Sequence, residues 1–165
     1  MQGKWKFAFE HILLTVTSIG QILIAVFTYH RPVDPIIRNG GWIILWIAGI
    51  FGVLPILTMK KYGSVEKGKS YIHTNVLIDQ GVFSLVRHPQ YLAGILISIG
   101  LLLIAPGWVN LFFGVVNIMQ YYKGSFEEEK GLVEQFGQAY IDYQRKVPRY
   151  NFLWGAIKKI VRRVA

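Results

Sequence analysis

Arg87-His88-Pro89-Gln90-Tyr91-Leu92-Ala93-Gly94-Ile95-Leu96-Ile97-Ser98-Ile99-Gly100-Leu101-Leu102-Leu103-Ile104-Ala105 opens on a cationic, proline-marked stretch and then runs apolar. Proline is favoured at the first position of a helix, so His88 falls at the cap of a helix that runs into the apolar stretch. Only Pro106-Gly107 separates this segment, Tyr91 to Ala105, from a second apolar one, Trp108 to Tyr122, so the pair is expected to form a tight helical hairpin. Each segment is about 22 Å long as a helix, short against roughly 30 Å of hydrocarbon. The flanking Pro89-Gln90 and Lys123 are therefore expected close to the headgroups, or the bilayer thins there. Asn117 and Gln120 inside the second segment need partners within a helix bundle.

Upstream, Lys4 and Lys6 precede an apolar run from Ile12 to Tyr29, which is long for a signal peptide and reads as a first transmembrane helix. Glu10 and His11 lie at its entrance, and Gln21, deeper in, is expected to face another helix. His30-Arg31-Pro32-Val33-Asp34-Pro35 breaks the helix. A second span follows from Gly40 to Met59, with Pro55 expected to kink it and Trp42 and Trp46 near its outer end as interfacial aromatics. Lys60 to Arg87 is one long polar connection with turn points at Gly63, Gly68 and Gly81. Its apolar patches Val76-Leu77-Ile78 and Val82-Phe83 favour an ordered loop over a floppy one.

Downstream, Phe126 to Val147 reads as an amphipathic helix outside the bilayer. Leu132, Phe136, Tyr140, Tyr143 and Val147 form its apolar stripe, and Val147-Pro148 ends it. Asn151 to Ala165 interleaves apolar residues with Lys158, Lys159, Arg162 and Arg163, the pattern of a cationic helix lying on a surface.

The composition agrees with a membrane protein. Of the 165 residues 53% are hydrophobic and 16% charged, against about 25% charged in soluble domains. The net charge of +9 clusters beside the apolar segments, which suits anionic lipid headgroups and disfavours a nucleic-acid partner, for which the chain has too little free surface. With no cysteine there is no disulfide, thiolate nucleophile or thiolate metal site. His30, His73 and His88 show no metal-ligand spacing. The fold class expected is all-α: a single domain over residues 1–165 with about four transmembrane helices and C-terminal amphipathic helices on the cytoplasmic side. Of 18 Lys and Arg only Arg31 and Arg38 fall on the opposite side, so the amino terminus, the 60–90 loop and the carboxyl terminus are expected to be cytoplasmic.

Two polar clusters then share that side. The cap of the third helix, with Arg87 and His88, suits an anion such as a carboxylate; alternatively, Arg87 snorkels to lipid phosphate and His88 only caps. Glu127-Glu128-Glu129 reads as the solvated start of a helix or as a set of acids facing a bound cation, with Lys123 and Lys130 nearby. Tyr91, Tyr121, Tyr122, Tyr140 and Tyr143 are interfacial aromatics, or one or two of them face a cationic centre.

In Leu77-Ile78-Asp79-Gln80-Gly81-Val82-Phe83-Ser84-Leu85-Val86-Arg87-His88-Pro89-Gln90-Tyr91-Leu92, then Glu128-Glu129-Lys130, Phe136-Gly137, Tyr140, Tyr143 and Val147-Pro148-Arg149, the chain resembles a known family. It is the membrane-embedded methyltransferases that include isoprenylcysteine carboxyl methyltransferase and, more distantly, phospholipid N-methyltransferases. The resemblance covers about residues 60 to 150. It implies S-adenosylmethionine as methyl donor, bound without a dinucleotide-binding domain; the chain has no glycine-rich βαβ fingerprint. It implies that Asn75, Val76, Leu77, Ile78, Phe83, His88, Pro89, Gln90 and Tyr91 surround the donor, joined by Glu128, with Arg87 or His88 meeting its carboxylate. Three positions depart from the family pattern: Asn75, often histidine; Phe83, often tyrosine; and Gly124, where a substrate-linked arginine usually stands, with Lys123 beside it as the candidate replacement. The acceptor implied is lipophilic and enters from the lipid bilayer. A carboxylate acceptor needs no base, whereas an amine acceptor makes Glu129 or a tyrosine the candidate proton acceptor. The favoured reading is isoprenylcysteine-type carboxyl O-methylation. The alternatives are a phospholipid N-methyltransferase or other small-acceptor enzyme, and a non-catalytic membrane subunit.

Overall fold

The structure is a computed structural model and describes residues 2–63 and 76–164. Asn75 and His73, and the middle of the 60–87 connection, lie outside the described residues. The elements in order are α1 (Gln2–Thr28), α2 (Pro35–Tyr62), a 3-10 turn (Gly81–Ser84), α3 (Pro89–Ile104), α4 (Trp108–Phe136), α5 (Gln138–Lys146) and α6 (Phe152–Val164). Among the described residues there is no strand.

Among the described residues two helices are long and apolar enough to cross a membrane, Phe9–Thr28 and Pro35–Tyr62. Only 17% and 22% of their most apolar windows are buried within the protein. A core helix of a soluble domain would be mostly buried, so these faces need apolar surroundings from outside the chain. The short connection between them is built by its own polar groups. Asp34 Oδ1 accepts the backbone N–H groups of Ile36 and Ile37 at 2.8 and 3.3 Å, with Pro35 at the first helical position. Arg38 donates to the carbonyls of Tyr29 and Arg31. α2 runs on through Pro55 to Tyr62, and Thr58 Oγ1 donates to Leu54 O within it.

The chain divides into two compact units, Met1–Gly49 with Ala93–Gly124, and Ile50–Leu92 with Ser125–Ala165. In the first, α1 packs with α3 and α4 around a buried polar line. Gln21 Nε2 donates to Ser98 O at 3.0 Å, Asn117 Nδ2 donates to Gln21 Oε1 at 2.8 Å, and Gln120 Nε2 donates to Thr17 Oγ1 at 3.1 Å. The expectation that these three amides face partner helices is met. The apolar part of this unit is Ala25, Ile104 and Ala105 with Leu45 and Leu101 against them. Gly41 and Gly100 bring two backbones together: a Cβ on either would stand 3.0 to 3.1 Å from the other's carbonyl oxygen. Small residues of this kind let helices approach closely where lipid offers no hydrophobic drive. Pro106-Gly107 turns α3 back into α4 as expected, and Asn110 Nδ2 closes the turn on the carbonyls of Leu101 and Ala105.

The expected separate helix Phe126 to Val147 is corrected. α4 runs unbroken from Trp108 through Lys123-Gly124-Ser125 to Phe136, and the break comes at Gly137. Polarity rises after Tyr122, but nothing there lacks an N–H donor, and one interior glycine costs only about 1 kcal/mol. Gly137 instead takes φ 56°, ψ −131°, backbone open to glycine and costly for other residues. The stripe read from the sequence still comes together, across the break: Tyr140, Tyr143 and Val147 are buried, with Leu132, Phe136, Leu77 and Phe83 packed on them.

Candidate active site

The site lies within the second unit and is built on one carboxylate. Glu129 is 6% exposed and sits well inside α4, so the reading of the three acids as a helix start is also corrected. Its Oε1 lies 3.0 Å from Arg87 Nη2, 3.0 Å from His88 Nε2 and 3.1 Å from Arg149 Nε. Its Oε2 accepts from Gln144 Nε2 at 3.2 Å and pairs with Arg149 Nη2. The segment leading into α3, α5 and the segment after α5 therefore converge on one side chain of α4.

Local chemistry explains each arm. Pro89 starts α3 and puts His88 before its first residue. The segment after α5 ends its helix at Val147-Pro148 and then runs alongside the start of α3: Arg87 N donates to Pro148 O at 3.0 Å and His88 N to Arg149 O at 3.3 Å. Those two N–H groups are thus taken by protein carbonyls. The Arg87 guanidinium also donates to Gln144 O and Val147 O, at 2.6 and 3.0 Å. Arg149 stacks over Phe126, 3.5 Å from the ring centroid, and Tyr150 OH meets Ser125 Oγ. Tyr143 OH donates to Phe83 O at 2.6 Å, tying α5 to the 3-10 turn.

At His88 and Glu129 burial disfavours the charged form, and pairing outweighs it. Burial pulls the His88 pKa down, but Glu128 and Glu129 outweigh it and hold the pKa above its ordinary 6.5. Its Nδ1 is 3.7 Å from Glu128 Oε2 while Nε2 faces Glu129, a placement that suits a ring protonated on both nitrogens. Burial likewise opposes ionisation of Glu129, but His88, Arg149 and Arg87 bring its pKa down to about 2. A carboxylate so held is a weak proton acceptor at neutral pH. Tyr140 and Tyr143 are pushed up, first by burial, and stay neutral donors.

Beside this cluster is a cavity of about 140 Å³. Met59, Val76, Leu77, Ile78, Phe83, Leu132 and Phe136 make its apolar wall, and Arg87, His88, Glu128, Gln135, Tyr140 and Tyr143 its polar one. Of the candidate residues, Val76, Leu77, Ile78, Phe83, Arg87, His88 and Glu128 line it. Pro89 is buried and Gln90 exposed; Tyr91 stacks edge-on to His88, ring centroids 5.5 Å apart. Lys123 belongs to the other unit, where it pairs with Glu10 at 2.7 Å. Two buried polar atoms of wall residues, Tyr140 Oη and Arg87 Nε, have no hydrogen-bond partner among the described residues. A second cavity of about 450 Å³ adjoins, sharing Leu77 and Tyr143 and adding Asp79, Ser84, Asp142, Lys146 and Lys159.

A family model for phospholipid methyltransferases matches residues 38–139. The chain belongs to the phospholipid methyltransferase family. Its relatives include Protein-S-isoprenylcysteine O-methyltransferase of Xenopus laevis, 26% identical over 131 residues, and that of Rattus norvegicus, 29% over 134; each alignment covers 74% of this chain and 45% of the relative. Protein-S-isoprenylcysteine O-methyltransferase B of Arabidopsis thaliana is 22% identical over 162 residues, 90% of this chain and 80% of the relative. The chain thus spans about half the length of the animal relatives. The matched family region contains most of the cavity wall, His88 and both acids but stops before Tyr140, Tyr143 and Arg149. The sequence pattern includes Arg149 without giving it a role and does not mark Gln144. The signal for both was weak: a buried acid needs cations, and Val147-Pro148-Arg149 stands next to the end of a helix.

Proposed function

We propose that this chain is a membrane-embedded methyltransferase that takes S-adenosylmethionine in the cavity beside His88 and transfers its methyl group to a lipophilic acceptor, an isoprenylcysteine-type carboxylate. The observation that carries this is the wall itself: apolar residues 76–78 and Phe83 face His88 and Glu128 in one cavity, in a chain whose relatives are named isoprenylcysteine O-methyltransferases. The orphaned donors Tyr140 Oη and Arg87 Nε fit a ligand rich in acceptor oxygens, such as the carboxylate and ribose of that donor. At about 140 Å³ the cavity is smaller than the few hundred Å³ usual for small-molecule sites, so it holds one end of the donor and the rest extends past the wall.

The donor, when bound, supplies an already activated methyl group. This chain supplies position and dryness. Val76, Leu77, Ile78 and Phe83 exclude water from the apolar end; Glu128 offers negative charge towards a cationic centre; His88, held between two acids, orients Glu128. Glu129 we assign as a positioning residue and not as a base, because three cationic side chains hold its carboxylate ionised. Asn75, Pro89, Gln90 and Tyr91 complete the donor's surroundings in this reading. A carboxylate acceptor, ionised at neutral pH, needs no proton acceptor, which agrees with a site whose carboxylates are engaged by cations. The whole of residues 1–165 serves as one domain crossing the bilayer four times, with α1, α2, α3 and the Trp108–Tyr122 part of α4, and with the 60–90 loop and both termini on the cytoplasmic side.

The family name favours a second reading, methylation of a phospholipid amine. Transfer of radiolabelled methyl to a prenylcysteine analogue and to phosphatidylethanolamine separates the two. Label that base releases as methanol marks a carboxyl ester, the expected result; label retained on the lipid amine overturns it in favour of the second reading. Label on neither substrate contradicts both.

A further inference from the structure

α6 presents two different faces. Leu153, Trp154, Ile157, Ile160 and Val161 are between 49% and 64% exposed, and at 3.6 residues per turn they share an arc of about 120°. On the opposite arc stand Phe152, Gly155 and Lys159. Phe152 packs its ring 5.1 Å from that of Phe51. Gly155 is buried so closely that any Cβ would collide with the backbone of Leu85. Lys159 Nζ donates to Ser84 Oγ at 2.6 Å. The inner face therefore grips the 3-10 turn through Ser84 and Leu85, and the outer apolar face has no partner among the described residues.

We propose that the outer face of α6 docks into the interfacial layer of an anionic bilayer, and that by doing so the helix holds the Gly81–Leu85 turn in place. The occupant follows from charge. α6 carries Lys158, Lys159, Arg162 and Arg163 and no acidic residue, so an anionic lipid surface complements it, whereas a second copy of the chain would set like charges against each other. Trp154 has Lys158 over its ring, 5.6 Å from the centroid, an amphipathic pair suited to the headgroup boundary. The turn carries Phe83 and leads directly to Arg87 and His88, so bilayer contact steadies the cavity wall; that consequence for the methyl donor rests on the reading given under Proposed function.

The chain has no cysteine, so Ile157→Cys accepts a single nitroxide label. The labelled full-length protein is placed in nanodiscs of phosphatidylcholine alone and of phosphatidylcholine with phosphatidylglycerol. Oxygen should quench the label strongly in the anionic discs while a water-soluble nickel chelate does not. Access by the chelate in both discs overturns the docking, and shielding from both reagents assigns the face to a second copy and overturns it too. Hydrogen exchange reads the grip: the amides of Leu85 and Val86, bonded to Val82 O, should exchange about tenfold more slowly in anionic discs. Equal rates in the two discs overturn the holding role. Gly155→Val, or Lys159→Met where the first does not fold, should leave the label at its depth and remove the difference in exchange; a difference that persists contradicts the grip. The affinity for S-adenosylhomocysteine should follow the exchange rates. Absence of that binding counts against the cavity reading alone and leaves the depth and exchange results to decide this proposal.

Discussion

Replacing Glu129 by glutamine leaves Arg87 and Arg149 inside the protein without their shared counter-charge. Breaking a buried pair by removing one partner costs about 3–5 kcal/mol, and denaturant unfolding of Glu129→Gln in detergent should show a loss of that order. Glu128→Gln, at a side chain 46% exposed, should leave stability nearly unchanged. The cluster also sets a pH profile. His88 has its pKa raised above 6.5, so its contribution to stability is complete below that pH and is lost as pH rises through the folded value. Glu129, lowered from 4.5 to about 2, contributes fully above 4.5 and loses its contribution as pH falls towards 2. The thermal midpoint should therefore be highest between roughly pH 4.5 and 6.5, and His88→Gln should remove the decline on the alkaline side only. At this scale His88 stands out as a helix-capping His-Pro in an apolar chain, whereas Glu128 is picked out of the run of acids only by the family resemblance. Arg149 was not legible, because its partner is 20 residues away and no local pattern joins them.

At the scale of the element, the break at Gly137 decides where the apolar stripe folds back. A side chain there adopts backbone that is sparsely populated for anything but glycine, so Gly137→Ala should cost about 1–3 kcal/mol, read as a lowered unfolding midpoint. Gly131→Ala, with nothing within 4 Å of its Cβ position and an ordinary helical φ, should be neutral or stabilising. The hairpin of α3 and α4 could be read from Pro106-Gly107 alone, since a missing donor and a flexible residue between two apolar runs leave few alternatives. The continuity of α4 past Tyr122 could not: a change from apolar to charged residues marks where a membrane ends, and a helix backbone does not end with it. Gln21, Asn117 and Gln120 were legible as a set, because an amide surrounded by apolar residues must find a partner. Which amide meets which was settled only by the register of α1 against α4. Gln21→Leu should cost on the order of 1 kcal/mol.

At the scale of the molecule, the proposed crossing of α1 to α4 places Val33 on one side of the bilayer and Gln80 on the other. The absence of cysteine makes single-cysteine variants at these positions informative: an impermeant maleimide applied to intact cells should label Val33→Cys and spare Gln80→Cys until the membrane is opened. Labelling of both from outside contradicts the orientation. The central claim is the donor site, and titration calorimetry of the detergent-purified protein with S-adenosylhomocysteine tests it most directly. Saturable binding of one equivalent, lost separately in His88→Ala and in Glu128→Ala while both variants remain folded, is the predicted result. No binding by folded wild-type protein, or binding unchanged in both variants, would contradict the site.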